Sequence, residues 1–188
     1  MSASIPLRSL TDGRIRIRPF EELDALPFLH ARQESSAHVL PWIPDLSPDV
    51  PVERIIDWIR RQPAIWAEGS ACYFVIADAH SDAFLGEGAL APIHRQHRFA
   101  NLLYWVRTSQ IGHGIAPAAV KLLAQFGFET LALQRIEIIM AVDNQASRRV
   151  AEKVGAKCEG TLRNRLFLHG RSHHAYMYSL LPSDPLAE

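Results

Sequence analysis

The chain has 188 residues, 48% of them hydrophobic, and its 20 Lys+Arg are balanced by 20 Asp+Glu. That size and apolar content suit one compact domain and exclude a mainly disordered chain. The balanced charge gives no global case for binding nucleic acid or an anionic membrane. No apolar run approaches the roughly 20 residues that span a bilayer. The opening MSASIPLRSL has no signal-type apolar stretch, so a cytoplasmic location is expected. Cys72 and Cys158 lie far apart without a CxxC pattern and are expected to be reduced core thiols, neither a disulfide nor a metal pair.

In chain order, RIRIRPF (14–20) alternates and predicts a strand, entered through Thr11-Asp12-Gly13. Glu21 to about Ser35 predicts a helix with Leu23, Leu26 and Leu29 on one side, interrupted by Pro27. LPWIPDLSPDVP (40–51) predicts a loop, and Val52, Ile55, Ile56 and Ile59 then give helical spacing. ACYFVIADA and AFLGEGALAPI predict a hairpin across His80-Ser81-Asp82, and NLLYWV (101–106) a third strand. Val120, Leu123, Ala124, Gly127 and Leu131 mark the apolar stripe of a helix that Pro117 opens. RIEIIMAV (135–142) reads as a buried strand and QASRRVAEKV (145–154) as a helix closed by Gly155. Two strands, near 157–168 and 174–181, end the chain around His169-Gly170-Arg171. This order predicts an α/β or α+β domain with a mixed, mostly antiparallel sheet and helices on its faces.

Gly112 and Gly114 flank His113 at the mouth of the helix that Pro117 opens. A helix N-terminus carries unpaired N–H groups and about half a positive charge, and glycines let a phosphate approach them. A GxG before a helix also serves as a plain connection, so spacing alone leaves both readings open. A P-loop is excluded because no Lys-Ser/Thr pair follows Gly114. A Rossmann fingerprint is excluded because its third glycine position is Pro117.

Strand, loop and helix are followed by VDNQASRRVAEKVGA (142–156). The combination resembles the GNAT superfamily of acyl-CoA-dependent N-acyltransferases. The tail CEGTLRNRLFLHGRSHHAYMYSL (158–180) is similar to the RimJ/RimL-type subgroup, which includes ribosomal-protein N-terminal acetyltransferases. The likeness runs from about Arg14 to Leu181 and is most specific over 104–116 and 143–147. The family loop, Gln/Arg-x-x-Gly-x-Gly/Ala, is met by Ile111-Gly112-His113-Gly114-Ile115-Ala116, with Ile111 in place of the polar first residue.

The resemblance implies one GNAT-like domain over residues 1–188, core about 14–181, with splayed central strands and helices on both faces. It implies acetyl-CoA as co-substrate, no metal, and a primary amine as acceptor, either a protein N-terminus or a small metabolite or antibiotic. A homodimer is a common state of the subgroup. The pyrophosphate is expected on the N–H groups of Gly112–Ala116, and the pantetheine beside Trp105 and Val106, whose backbone would hold the thioester carbonyl. Asn144 matches the asparagine that bonds the pantetheine amide, and Ser147 a serine near the sulfur. Each also has a plain role, Asn144 as helix cap and Ser147 as a core serine. The tyrosine that many relatives carry on this helix is Ala151 here.

Direct attack on a thioester needs a neutral amine. An α-amine (pKa about 7.7–8.0) is deprotonated for about 3.5 kcal/mol less than lysine (about 10.4). Glu87, in FLGEGAL beside the splayed strand, is the expected base; its alternative is the outer face of a strand. The glutamate that serves as base in ribosomal-protein members of the subgroup aligns with Leu166, and Glu159 is expected to be structural. Trp42 and Tyr104 are expected to border the acceptor. Together, Ala151 and Leu166 keep open a catalytically weak acyl-CoA-binding module. The nine histidines show no metal-ligand spacing.

Overall fold

The computed structural model describes residues 7–185. Its elements are β1 (Leu10–Thr11), β2 (Ile15–Arg18), α1 (Ala25–Val39), α2 (Val52–Glu68), β3 (Cys72–Asp78), β4 (Phe84–His94) and β5 (Phe99–Val106). Then follow α3 (Ile115–Gln125), β6 (Arg135–Ala141), α4 (Gln145–Lys153), β7 (Lys157–Leu168) and β8 (Arg171–Leu180). They build one open eight-stranded sheet in the order β1-β2-β3-β4-β5-β6-β8-β7. Every pairing is antiparallel except β5 with β6. The mixed sheet expected from the sequence is the one observed.

Helices cover both faces, so the central strands are buried on both sides and read as near-continuous apolar runs. On β3, Val75 and Ala77 join Phe28, Ile55 and Ile59 of α1 and α2. Cys72, Phe74 and Ile76 turn the other way, to Val120, Leu123 and Ala124 of α3 and Ala151 and Val154 of α4. Trp66, near the end of α2, reaches this second cluster by edge-to-face packing on Phe74 and Phe126. Gly88 permits the close approach of α3, since a Cβ there would lie 2.6 Å from Leu123 Cδ1.

Three expectations are corrected. The segment after β2 is not one helix with Leu23, Leu26 and Leu29 inward. Glu22–Asp24 form a 3-10 turn, and the buried face of α1 is Ala25, Phe28, Ala31, Ser35 and Val39. Leu23 is 87% and Leu26 54% exposed. Pro27 falls in the first turn of α1, where its missing N–H has no intrahelical partner to lose. Cys158 is exposed on β7 and only Cys72 is a core thiol. Finally, β8 starts at Arg171, because His169 and Gly170 alone make the turn, both at positive φ.

Candidate active site

The parallel pair is short. β5 and β6 share a register only over Phe99–Asn101 and Arg135–Glu137, while β6 stays paired to β8 up to Ala141. From Leu102 onward β5 has a free edge facing a fork in the sheet. Backbone groups alternate along a strand. The Arg107 N–H donates to Leu85 O of β4 at 2.9 Å, so the N–H and carbonyl of Val106 face the fork. Its N–H is a donor aimed where a thioester carbonyl could lie. Trp105 and Val106 themselves are buried.

Beyond β5 the chain makes one 3-10 turn, Thr108–Gln110, and enters α3 through the glycine loop. Gly112 and Gly114 have φ of 84° and 75°, a region that L side chains rarely adopt. A Cβ on Gly112 would meet nothing within 4 Å, and one on Gly114 would meet only the Arg14 guanidinium, at 3.9 Å. The loop is therefore open above its backbone. Ile115 and Ala116 lie in the first turn, where N–H groups have no intrahelical acceptor. Ile111 and His113 are exposed, whereas Ile115 turns into the core. Arg14, from the turn before β2, donates Nη2 to the His113 carbonyl at 2.9 Å. A cation thus stands beside the loop, although Ile111 carries none. These features fit a diphosphate: an uncrowded arc of N–H groups, a helix N-terminus and one guanidinium.

Across the fork, Asn144 caps α4, its Oδ1 accepting from Ser147 N–H at 3.1 Å. Ser147 Oγ lies 3.0 Å from the Tyr104 hydroxyl, which reaches over from β5. Ala151, on the same helix, is fully buried. A phenol therefore reaches this place from β5 and not from α4. Burial pushes the Tyr104 pKa up to about 12, against the opposing bond to Ser147.

On the α1/α2 face a cleft of about 790 Å³ reaches the free edge of β5 at Leu103 and Tyr104. Phe28, Trp58, Tyr73 and Trp105 line it, and Glu87 enters it from β4. The Trp105 indole donates to Glu87 Oε2 at 2.8 Å. Burial raises the Glu87 pKa to about 7, opposed by that bond and by the charge of Arg32. Arg32 lies over the Phe28 ring, its Cζ 5.3 Å from the centroid, and donates Nη2 to the Asp45 carbonyl at 3.0 Å. The arrangement can accept a proton near neutral pH beside a site where an amine could meet the fork.

Trp42 does not line this cleft; Ile43 and Leu46 of the same loop do. Leu166 sits half-buried on β7, paired with His173. Glu159 accepts from Ser179 Oγ at 2.6 Å and pairs with Arg135, tying β7 to β8 and β6. Sequence reading missed Arg14, Arg32, Trp58 and Tyr73. Arg14 looked like one more polar position of an alternating strand. Arg32 lies on the helix whose facing differs from the one its periodicity predicts. Among the described residues no group of three His, Cys, Asp or Glu side chains is placed to hold a metal, and no helix is long and apolar enough to cross a membrane.

A forked mixed sheet with a glycine loop at the helix beside the fork defines a class, and comparison with known proteins names it. The family described as "Acetyltransferase (GNAT) domain" matches residues 14–157, and the chain belongs to that family. It is an N-acetyltransferase of the GNAT type. YdaF of Bacillus subtilis (strain 168), provisionally named a ribosomal N-acetyltransferase, is 35% identical over 146 residues, 73% of this chain and 73% of its own. Spermidine N(1)-acetyltransferase of Escherichia coli (strain K12) is 25% identical over 174 residues, 93% of this chain and 89% of that protein. RimJ of Mycobacterium smegmatis, solved in complex with CoA-disulfide, superposes with a TM-score of 0.85 at 24% identity, covering 95% of this chain and 91% of that one.

Proposed function

We propose that the enzyme acetylates the α-amine of a polypeptide N-terminus, with acetyl-CoA as donor. Glu87 carries this reading: a buried carboxylate with a pKa near 7, in a cleft that opens on the free edge of β5. Acetyl-CoA supplies an acyl group already activated as a thioester, so no covalent enzyme adduct is needed. The loop Gly112–Ala116, with Arg14, binds the diphosphate, and Asn144 can offer its amide N–H to the pantetheine while its oxygen caps α4. Val106 N–H donates to the thioester carbonyl oxygen, where negative charge grows. Glu87 removes the proton from the attacking amine. Ser147 and Tyr104 hydrogen-bond the leaving sulfur. With its pKa at about 12, the phenol donates a hydrogen bond and keeps its proton, since a thiol titrates near 8.5.

The charges of the cleft support the choice of acceptor. Arg32, Arg54 and Arg61 balance Asp45, Asp57 and Glu87 around it. A polyamine would favour a uniformly acidic wall, whereas an N-terminal residue brings an amine and a carbonyl within a few ångströms. An α-amine also demands the weaker base. The test is thiol release from acetyl-CoA with a panel of short peptides, N-blocked peptides carrying lysine, and spermidine. Peptide α-amines are expected to give the highest kcat/KM. Faster turnover of spermidine, or of lysine in a blocked peptide, would replace this acceptor assignment.

A further inference from the structure

The end of β5 is held by a side chain that the reaction as described does not use. His38, in the last turn of α1, places Nε2 3.1 Å from the Val106 carbonyl oxygen and Nδ1 2.8 Å from Thr108 Oγ1. A carbonyl oxygen offers only lone pairs, so Nε2 carries the hydrogen and donates it. The same stretch of α1 anchors the residues that follow. Thr108 N–H donates to Ser35 Oγ at 3.0 Å, Ser109 N–H donates to Glu34 Oε1 at 2.7 Å, and the Glu34 carboxylate pairs with Arg107.

We propose that His38 is a positioning residue for acyl transfer, supplying at the Val106 carbonyl the hydrogen bond that β6 would have made had the sheet not forked. In an unbroken sheet both edge-facing groups of Val106 would be paired. Here β6 has left after Asn101↔Glu137, so a donor must come from elsewhere. His38 satisfies the carbonyl and leaves the N–H as the open group. Two consequences follow. The peptide between Val106 and Arg107 is pinned from both sides, by Leu85 O on its N–H and by His38 on its carbonyl. In addition, the negative end of that carbonyl points to the same edge at which the thioester oxygen gains charge. An N–H bound to it offsets the repulsion, and does so most in the transition state.

The bond does not depend on the protonation of His38. Nε2 donates in both the neutral and the charged ring; only the Thr108 hydroxyl changes role. In the neutral ring it donates to Nδ1. In the charged ring it accepts from Nδ1 and donates to the Glu34 carbonyl, 3.2 Å away. A positioning role therefore predicts an unchanged pH profile, whereas a proton-transfer role predicts a lost limb.

The inference rests on Val106 N–H being the oxyanion donor, so three variants are compared: His38→Ala, His38→Gln and Val106→Pro. The proline deletes the edge-facing N–H without removing a ladder bond. With the best peptide acceptor, His38→Ala should lose about 10- to 100-fold in kcat, with KM for acetyl-CoA within about threefold. His38→Gln, whose amide N–H can reach the same carbonyl, should regain most of that rate. The pH–rate profiles should keep the wild-type shape. Wild-type kcat in His38→Ala, equal impairment in His38→Gln, or a lost pH limb in both would overturn the role. Full activity in Val106→Pro would remove the oxyanion reading itself. An inactive Val106→Pro beside a normal His38→Ala would remove the His38 inference alone.

Discussion

The two faces of the sheet carry unlike interiors. On the α3/α4 face the core is apolar throughout, from Leu102 and Leu123 to Ile138 and Val154, and the site exposed at its edge is made largely of backbone. The α1/α2 face buries charge: Glu87 within the cleft, and Asp24 clamped by Arg18 at 2.7 Å through Nη1 and Nη2. Coenzyme recognition asks for donors in a fixed arc, which a rigid helix and two glycines supply. Acceptor activation asks for a carboxylate of raised pKa, which at Glu87 burial supplies. Under the proposed function the dry face would be stable and functional at once, whereas the charged face would give up stability for its chemistry.

The largest break in this comparison should come from Glu87→Gln. The shape and the bond from Trp105 are kept while the proton acceptor is lost. Turnover should fall by roughly 10²–10⁴-fold with little change in acetyl-CoA affinity. The wild-type rate should rise with pH to a plateau above about pH 7, as the carboxylate ionises, and the variant should lack that limb. Equal plateau rates in the two proteins would make Glu87 a bystander. Stability should move the other way. Between 4.5 and about 7 the folded state holds a proton that the unfolded chain has released, so wild-type stability falls as pH rises through that window. Glu87→Gln escapes the loss and should be the more stable protein above about pH 7, by on the order of 3 kcal/mol, with the gap closing below 4.5. Denaturant melts at the two ends of the window measure it.

Next in size is Arg18→Ala, which leaves Asp24 buried without its cation and, among the described residues, with only the Glu21 N–H as partner. The expected loss is about 3–5 kcal/mol of stability, read as a fall in the denaturant midpoint at constant slope. A loss under 1 kcal/mol would show that water reaches Asp24 once Arg18 is removed.

Variants of the dry face should act on the coenzyme before they act on stability. Gly114→Val puts a β-branched residue at φ of 75° and a side chain into the arc. Acetyl-CoA affinity should drop at least about tenfold, with backbone strain of about 1–3 kcal/mol. Arg14→Ala separates the two effects, lowering affinity several-fold at low salt and less at high salt with no strain. The smallest effect is expected from Asn144→Ala, about 1 kcal/mol for the lost cap together with a raised KM for acetyl-CoA. A fall in melting temperature alone would leave Asn144 as a cap and nothing more.

Local pattern was enough for much of this molecule. The alternation of RIRIRPF, the apolar run RIEIIMAV and the glycine loop before Pro117 each depend on nearest neighbours, and each folds as its period indicates. The first helix departs from its periodicity because a 3-10 turn shifts its phase, which turns Leu23 and Leu26 outward and Arg32 into the cleft. The fork at Asn101 lies beyond any local signal, since it depends on where β6 parts from β5 and pairs on with β8. Chain order put Arg14, His38 and Val106 in unrelated segments. Their convergence on one edge required the sheet, because only tertiary packing brings a charge from residue 14 and an imidazole from residue 38 to donors at 106–116. Sequence alone therefore determined most of the elements through short-range spacing, and its motifs carried the resemblance to the family. Which side chains share the site was decided by burial and by the break in the ladder, both of which are properties of the folded whole.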